Sequence, residues 1–204
     1  MKLYNTPISP NGKRVRVCAA ELGLALDDAP IDFARGDART PEYLALNPMG
    51  KVPTLTDGSF VLWESAAILF YLAARRGPSA LWPADVRAQA DTMRWLFFCS
   101  CHVDPHFTTL VVERFIKPRR NLPADEARVA YATESLQRFV PVLEQQLGAH
   151  AFVAGDFGLA DIALGCTLEL SPSLRYDLSP YERVRAWLAR CQSRPGWSAG
   201  LKAE

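Results

Sequence analysis

Glu64-Ser65 is the residue pair in this chain whose types and placement point most directly to ligand chemistry. It stands at the head of an apolar helical pattern in which Ala67, Ile68, Tyr71 and Leu72 recur on one side as far as Arg76. The free N–H groups and positive dipole end of such a helix attract a carboxylate, and a serine hydroxyl adds a donor. Glu64 beside them can hold an ammonium group. Together they suit the α-carboxylate and α-amine of an amino acid, although ordinary helix capping accounts for the same two residues. Upstream, Val52-Pro53 follows Lys51 at the start of an apolar run. Proline cannot donate to a β-ladder, so the position is an edge or has a special peptide geometry. A cis bond there would turn the Val52 N–H and C=O sideways, toward a peptide ligand. A trans edge-strand proline is the commoner alternative.

Two further groups could do chemistry. Cys99, Cys101, His102, Asp104 and His106 combine thiol, imidazole and carboxylate, a set suited to zinc or copper. Cys-x-Cys lacks the paired second half of a structural zinc site, and Pro105 interrupts the helix between the ligands, so no metal is expected. These residues are instead expected on a helix face turned toward a cleft, near Phe97, Phe98 and Phe107. The run Glu113-Arg114-Phe115-Ile116-Lys117-Pro118-Arg119-Arg120 is locally basic. It reads as a solvated helix end, where cations suit the dipole, or as a source of one arginine for an anionic substrate.

The order of elements follows from periodicity and turn residues. Met1–Asn5 is β-prone, and after Thr6-Pro7-Ile8-Ser9-Pro10-Asn11-Gly12 the residues Val15, Cys18, Ala19 and Leu22 recur at helical spacing up to Gly23. Ala29–Phe33 reads as a strand, and Thr40-Pro41-Glu42 opens a short helix. Val52–Thr56 and Ser59–Leu62 flank the hairpin dipeptide Asp57-Gly58, and Glu64–Arg76 is helical. Residues 77–84, rich in Gly and Pro, read as a linker. Beyond it lie helices over about Asp85–Phe115 (kinked at Pro105), Pro123–Leu147, Leu159–Leu170 and Tyr181–Gln192. The sequence therefore predicts an α/β domain over 1–76, a linker over 77–84 and an all-α domain over 85–204.

Composition narrows the class without choosing an activity. The chain has 204 residues, 49% hydrophobic and 22% charged, which is ordinary for a globular protein and enough to form a core without staples. Its net charge of +1 is spread evenly, with 9 cations and 8 anions over 1–76 and 14 of each beyond. A nucleic-acid partner therefore has little electrostatic basis. No apolar run reaches the ~18–20 residues of a membrane helix, and no leader precedes Lys2-Leu3-Tyr4, so no membrane partner is expected. Five scattered cysteines suit reduced, mostly buried thiols and a cytoplasmic location.

In this order and spacing, the pieces resemble the cytosolic glutathione transferases over essentially the whole length. The resemblance rests on the Ser9 turn, Val52-Pro53, the Glu64-Ser65-Ala66-Ala67-Ile68-Leu69-Phe70-Tyr71-Leu72 helix, Phe152–Ile162 and the closing Ala186-Trp187-Leu188…Arg194-Pro195. It implies a thioredoxin-like N-terminal domain that binds glutathione and an α-helical domain that helps bind an electrophile. It implies a cis Pro53, Val52 main chain against the cysteinyl part, Glu64 and Ser65 on the γ-glutamyl end, and Lys51 near the glycyl carboxylate. A homodimer is expected, with glutathione as co-substrate and a small electrophile as the other.

Such an enzyme must supply a thiolate, while a free thiol titrates near about 8.5. Ser9 occupies the position of the family's catalytic hydroxyl and fits a serine-type, theta- or nu-like bacterial loop. Asn11 is the second candidate donor; in relatives with a similar Ser/Thr-Pro-Asn-Gly loop it accompanies disulfide reduction. The alternative is that Ser9-Pro10-Asn11-Gly12 is simply a turn with Asn11 as helix cap; the family position of the loop favours Ser9, with Asn11 in support. Two departures stand out. Gly158 replaces the usual Ser or Thr of a capping box with Asp161, which weakens that helix start. The Ser-Ser-Cys signature of the zeta-type isomerases is absent despite Arg14-Val15-Arg16. The rival functions are glutathione-dependent disulfide or peroxide reduction and a non-catalytic binding protein of the same fold.

Overall fold

The computed structural model describes residues 1–199, and these divide into two compact units, Met1–Trp82 with the segment from Gln192, and Pro83–Cys191. The expected α/β plus all-α organisation holds, and the first unit is thioredoxin-like.

In the first unit, β1 (Lys2–Asn5) leads to α1 (Pro10–Glu21), β2 (Asp27–Pro30), α2 (Pro41–Leu46), β3 (Thr54–Asp57), β4 (Phe60–Trp63) and α3 (Ser65–Arg76). The sheet order is β2-β1-β3-β4, with β1 and β2 parallel and the other pairs antiparallel. Alternation along β1 sends Leu3 and Asn5 to one buried face, while Tyr4 packs with Tyr43, Ile31 and Ala38 on the other. The second strand lies earlier than Ala29–Phe33 because Lys2–Asn5 pairs with Asp27–Pro30; Ile31 leaves the ladder and enters the core beside α2. Val15, Leu55, Ile68, Leu69 and Leu72 are fully buried or nearly so. In the first turn of α1 the backbone meets Asn5 closely. A Cβ on Gly12 would fall 1.8 Å from Asn5 Oδ1, so only glycine fits there.

The C-terminal α10 (Pro195–Ala199) also belongs to the first unit. Arg194 and Glu21 form a two-pronged ion pair at 2.6 and 3.1 Å, and Lys13 lies over the Trp197 ring at 5.2 Å.

The second unit begins with α4 (Val86–Phe98), continued through π turns at Cys99–Val103 and Val112–Ile116 into α5 (Asp104–Val111) and α6 (Lys117–Arg119). Each short helix carries proline at its start, and proline has no backbone N–H to donate, so the departures from regular helix coincide with Pro105 and Pro118. The long segment thus extends beyond the expected Phe115. Then come α7 (Glu126–Gln146), α8 (Leu159–Leu168) and α9 (Glu182–Gln192). Every residue of α8 is buried. Asp161 completes half a capping box by accepting from Gly158 N–H at 2.9 Å. Among the described residues no helix is long and apolar enough to cross a membrane. Cys18, Cys99, Cys166 and Cys191 are buried free thiols, and Cys101 is exposed.

Candidate active site

One pocket of about 110 Å³ in the first unit gathers most of the residues singled out by sequence. Asn11, Lys51, Val52, Pro53, Glu64 and Ser65 line it, together with Asn47, Met49 and Trp63. Residues more than fifty positions apart meet because β1 and β4, which lead into α1 and α3, end on either side of the start of β3.

The floor of the pocket is the turn before β3. Val52–Pro53 is a cis peptide bond, and Val52 lies outside the ladder, which begins at Thr54. Three residues to which the sequence alone assigns no role hold this turn from beneath. Tyr43 donates its hydroxyl to Lys51 O at 2.6 Å, and Asn47 Nδ2 donates to Lys51 O at 2.8 Å and Thr54 Oγ1 at 3.0 Å. Burial pushes the Tyr43 hydroxyl above its ordinary pKa, so it stays a donor. Gly50, at φ 59°, completes the turn where a Cβ would meet Ala38 O at 2.8 Å.

The side wall is the start of α3. Glu64 sits at φ 73°, ψ 114°, a left-handed conformation costly for any residue with a Cβ. Ser65 is buried, receives Arg14 Nη1 on its Oγ at 3.4 Å, and donates to Asn11 Oδ1 at 3.5 Å. Glu64→Gly is expected to raise unfolding stability by about 1 kcal/mol through release of this strain, while lowering retention on immobilised glutathione about tenfold. Thermal melting and an elution profile check both signs, and a stabilised variant with full retention would remove Glu64 from the site.

Ser9 does not line this pocket. It is the N-cap of α1, its Oγ accepting from Gly12 N–H at 3.1 Å, which leaves its hydroxyl hydrogen to donate elsewhere.

The Cys99–His106 group divides between two neighbours. Asp104 Oδ1 accepts from Thr167 of α8 at 2.7 Å and from the Cys99 thiol at 3.5 Å. His102 and His106 instead pack on Phe139 of α7, with ring centroids 5.0 and 5.9 Å away. Burial, then the Arg138 and His102 charges, hold His106 below its ordinary pKa. Among the described residues, no group of three or more His, Cys, Asp or Glu is placed to hold a metal. In the basic run, Arg114 donates to the Leu174 and Arg175 carbonyls at 2.6 and 3.0 Å. Lys117 pairs with the buried Glu113 at 2.6 Å, and Arg119 lies over Phe115. Arg114 and Lys117 thus have structural duties within the second unit.

Comparison with known proteins adds the decisive observation. Residues 1–74 match the glutathione S-transferase N-terminal domain model and residues 93–195 match the C-terminal domain model. The chain belongs to the glutathione S-transferase family. It is 34% identical to glutathione S-transferase 3 of Zea mays over 209 residues, covering 100% of this chain and 94% of that one. A theta class glutathione S-transferase from Xanthomonas axonopodis pv. citri with glutathione bound superimposes with a TM-score of 0.90 at 31% identity, covering 100% of this chain and 97% of that one. Glutathione transferase F2 of Populus trichocarpa also reaches 0.90, at 26% identity, with 98% and 96% covered. Within this glutathione S-transferase family member, the pocket on the first unit is thus the candidate substrate site.

Proposed function

We propose that this protein conjugates the thiolate of glutathione to small hydrophobic electrophiles. The observation that carries this reading is the convergence of Lys51, Val52, Glu64, Ser65 and Asn11 on one small polar pocket. Each end of glutathione has a matching group. The γ-glutamyl carboxylate takes the Ser65 hydroxyl and the α3 N–H groups, and its ammonium takes Glu64. The cysteinyl amide pairs with Val52 main chain, and the glycyl carboxylate lies toward Lys51. This orientation directs the thiol to the α1 start, where Ser9 donates its hydroxyl hydrogen and the positive helix end favours an anion. The thiolate attacks the electrophile, a C–S bond forms, and in a substitution the leaving group departs with its electron pair.

The loop is of the serine-type, theta- or nu-like bacterial kind. A second reading, glutathione-dependent disulfide reduction, draws on the position of Asn11, which lines the pocket where Ser9 does not. Retention on immobilised glutathione, with a chloronitrobenzene assay and a disulfide-exchange assay, separates the readings. Conjugation supports the first, disulfide turnover alone the second, and no retention overturns both in favour of a non-catalytic binding protein.

We assign a homodimer to the surfaces that expose apolar side chains. Met49 and Phe60 are 48% and 47% exposed on the first unit, and on the second Val142 is 46% exposed beside a groove of about 410 Å³ that Phe98 also lines. Sedimentation should read twice 22.6 kDa; a monomer removes the assignment. The functional division runs 1–76 for glutathione, 77–84 as linker and, in place of the expected 85–204, residues 85–191 for the electrophile, because the segment from Gln192 belongs to the first unit; the working compartment is the cytoplasm.

A further inference from the structure

We infer that Arg14 is a positioning residue for the γ-glutamyl end of glutathione, acting through Ser65. The inference rests on the proposed placement of the α-carboxylate at Ser65. Arg14 lies in α1, only 2% exposed, and its Nη1 reaches Ser65 Oγ at 3.4 Å across 51 positions of sequence. The other cations of α1 have different tasks: Lys13 lies over Trp197 and Arg16 pairs with Asp28 at 2.8 Å.

A serine hydroxyl has a single hydrogen to give, and its oxygen can accept at the same time. The Arg14 guanidinium occupies the accepting side of Ser65. The hydroxyl hydrogen is thereby directed away from α1's interior, to Asn11 Oδ1 at 3.5 Å on the pocket wall. An incoming carboxylate takes that hydrogen in place of Asn11. It also meets the field of a buried guanidinium, which is far less screened than a surface charge. Arg14 thus sets both the direction of the Ser65 donor and the sign of the potential behind it. Lysine keeps the charge but lacks the planar fork that reaches Ser65 with fixed geometry.

The test compares two thiols by calorimetric titration. One is glutathione; the other is its analogue with 4-aminobutyryl in place of γ-glutamyl, which lacks only the α-carboxylate. Wild-type protein should bind glutathione at least about tenfold tighter than the analogue. Arg14→Gln should reduce this preference to about twofold with little change in analogue affinity. Arg14→Lys should reduce it about threefold, which keeps the test open should the Gln variant fail to fold. Equal losses for both thiols in the folded variants mean a merely structural role and overturn the inference. So does an unchanged preference. A wild-type protein that binds both thiols equally overturns the carboxylate placement on Ser65, and the Arg14 role with it.

Discussion

Asp161→Ala should lower the unfolding free energy by about 3–5 kcal/mol at pH 5. The carboxylate is 0% exposed and ties three segments together. Its Oδ1 accepts from Val153 N–H at 2.9 Å and Trp187 Nε1 at 2.7 Å, and its Oδ2 accepts from Gly158 N–H at 2.9 Å. Alanine leaves those buried donors unmatched and opens a void beside Trp187. Because Gly158 has no side chain to accept in return, Asp161 alone supplies the side-chain part of this helix cap.

The same residue gives the loss a pH dependence of known sign. Burial raises the Asp161 pKa to about 6 from an ordinary 3.8, although its three donors pull the other way. The folded state therefore holds this proton more tightly than the unfolded chain. The stabilising contribution is full below about pH 4 and is lost as pH rises through about 6. The alanine variant has no such proton, so the gap between the two proteins should narrow by about 1–3 kcal/mol from pH 4 to pH 7. Urea unfolding at fixed protein concentration reads both quantities. A gap that widens toward pH 7 would contradict the burial effect.

Much of the site was legible because its residues act through local order. Val52-Pro53 and Glu64-Ser65 are each defined by neighbours in sequence, and the chemistry of a helix start or a pre-strand proline travels with them. What sequence could not supply is the layer beneath. Tyr43, Asn47 and Thr54 matter through hydrogen bonds to one carbonyl, Lys51 O, and to each other. Nothing in their spacing distinguishes such a set from core aromatic, turn and strand residues. The Cys99–His106 group shows the opposite error. Helical spacing suggested one shared face, but a π turn at Cys99–Val103 changes the phase, sending Cys99 and Asp104 toward α8 and the histidines toward α7. The second strand was misplaced because its pairing residues, Asp27 and Asp28, are exposed and polar, while the apolar Ile31 that looks strand-like belongs to the core beyond.

Ser9→Ala should reduce kcat/KM for conjugation about 10- to 100-fold at pH 6.5, with the deficit shrinking to about threefold by pH 9. A thiol with an ordinary pKa of about 8.5 is mostly protonated at pH 6.5. A hydroxyl hydrogen bond to the sulfur favours the anion, and each unit by which it lowers the pKa is about 1.4 kcal/mol. Removing the donor moves the rate profile to higher pH by about one to two units, and at alkaline pH both enzymes hold the thiolate. Ser9 also caps α1 through Gly12 N–H, so the variant should lose about 1 kcal/mol of stability as well. The pH profile separates the two roles, because a lost cap scales the rate without moving the profile. Ser9→Thr keeps cap and hydroxyl and should restore both. Asn11→Ala should behave differently. Its Oδ1 accepts the Ser65 hydrogen that bound carboxylate takes over, so the change removes a competing acceptor and should leave glutathione binding within about threefold at every pH. A profile that shifts in the Asn11 variant and stays fixed in the Ser9 variant makes the asparagine the thiolate donor, and with it disulfide reduction the favoured chemistry.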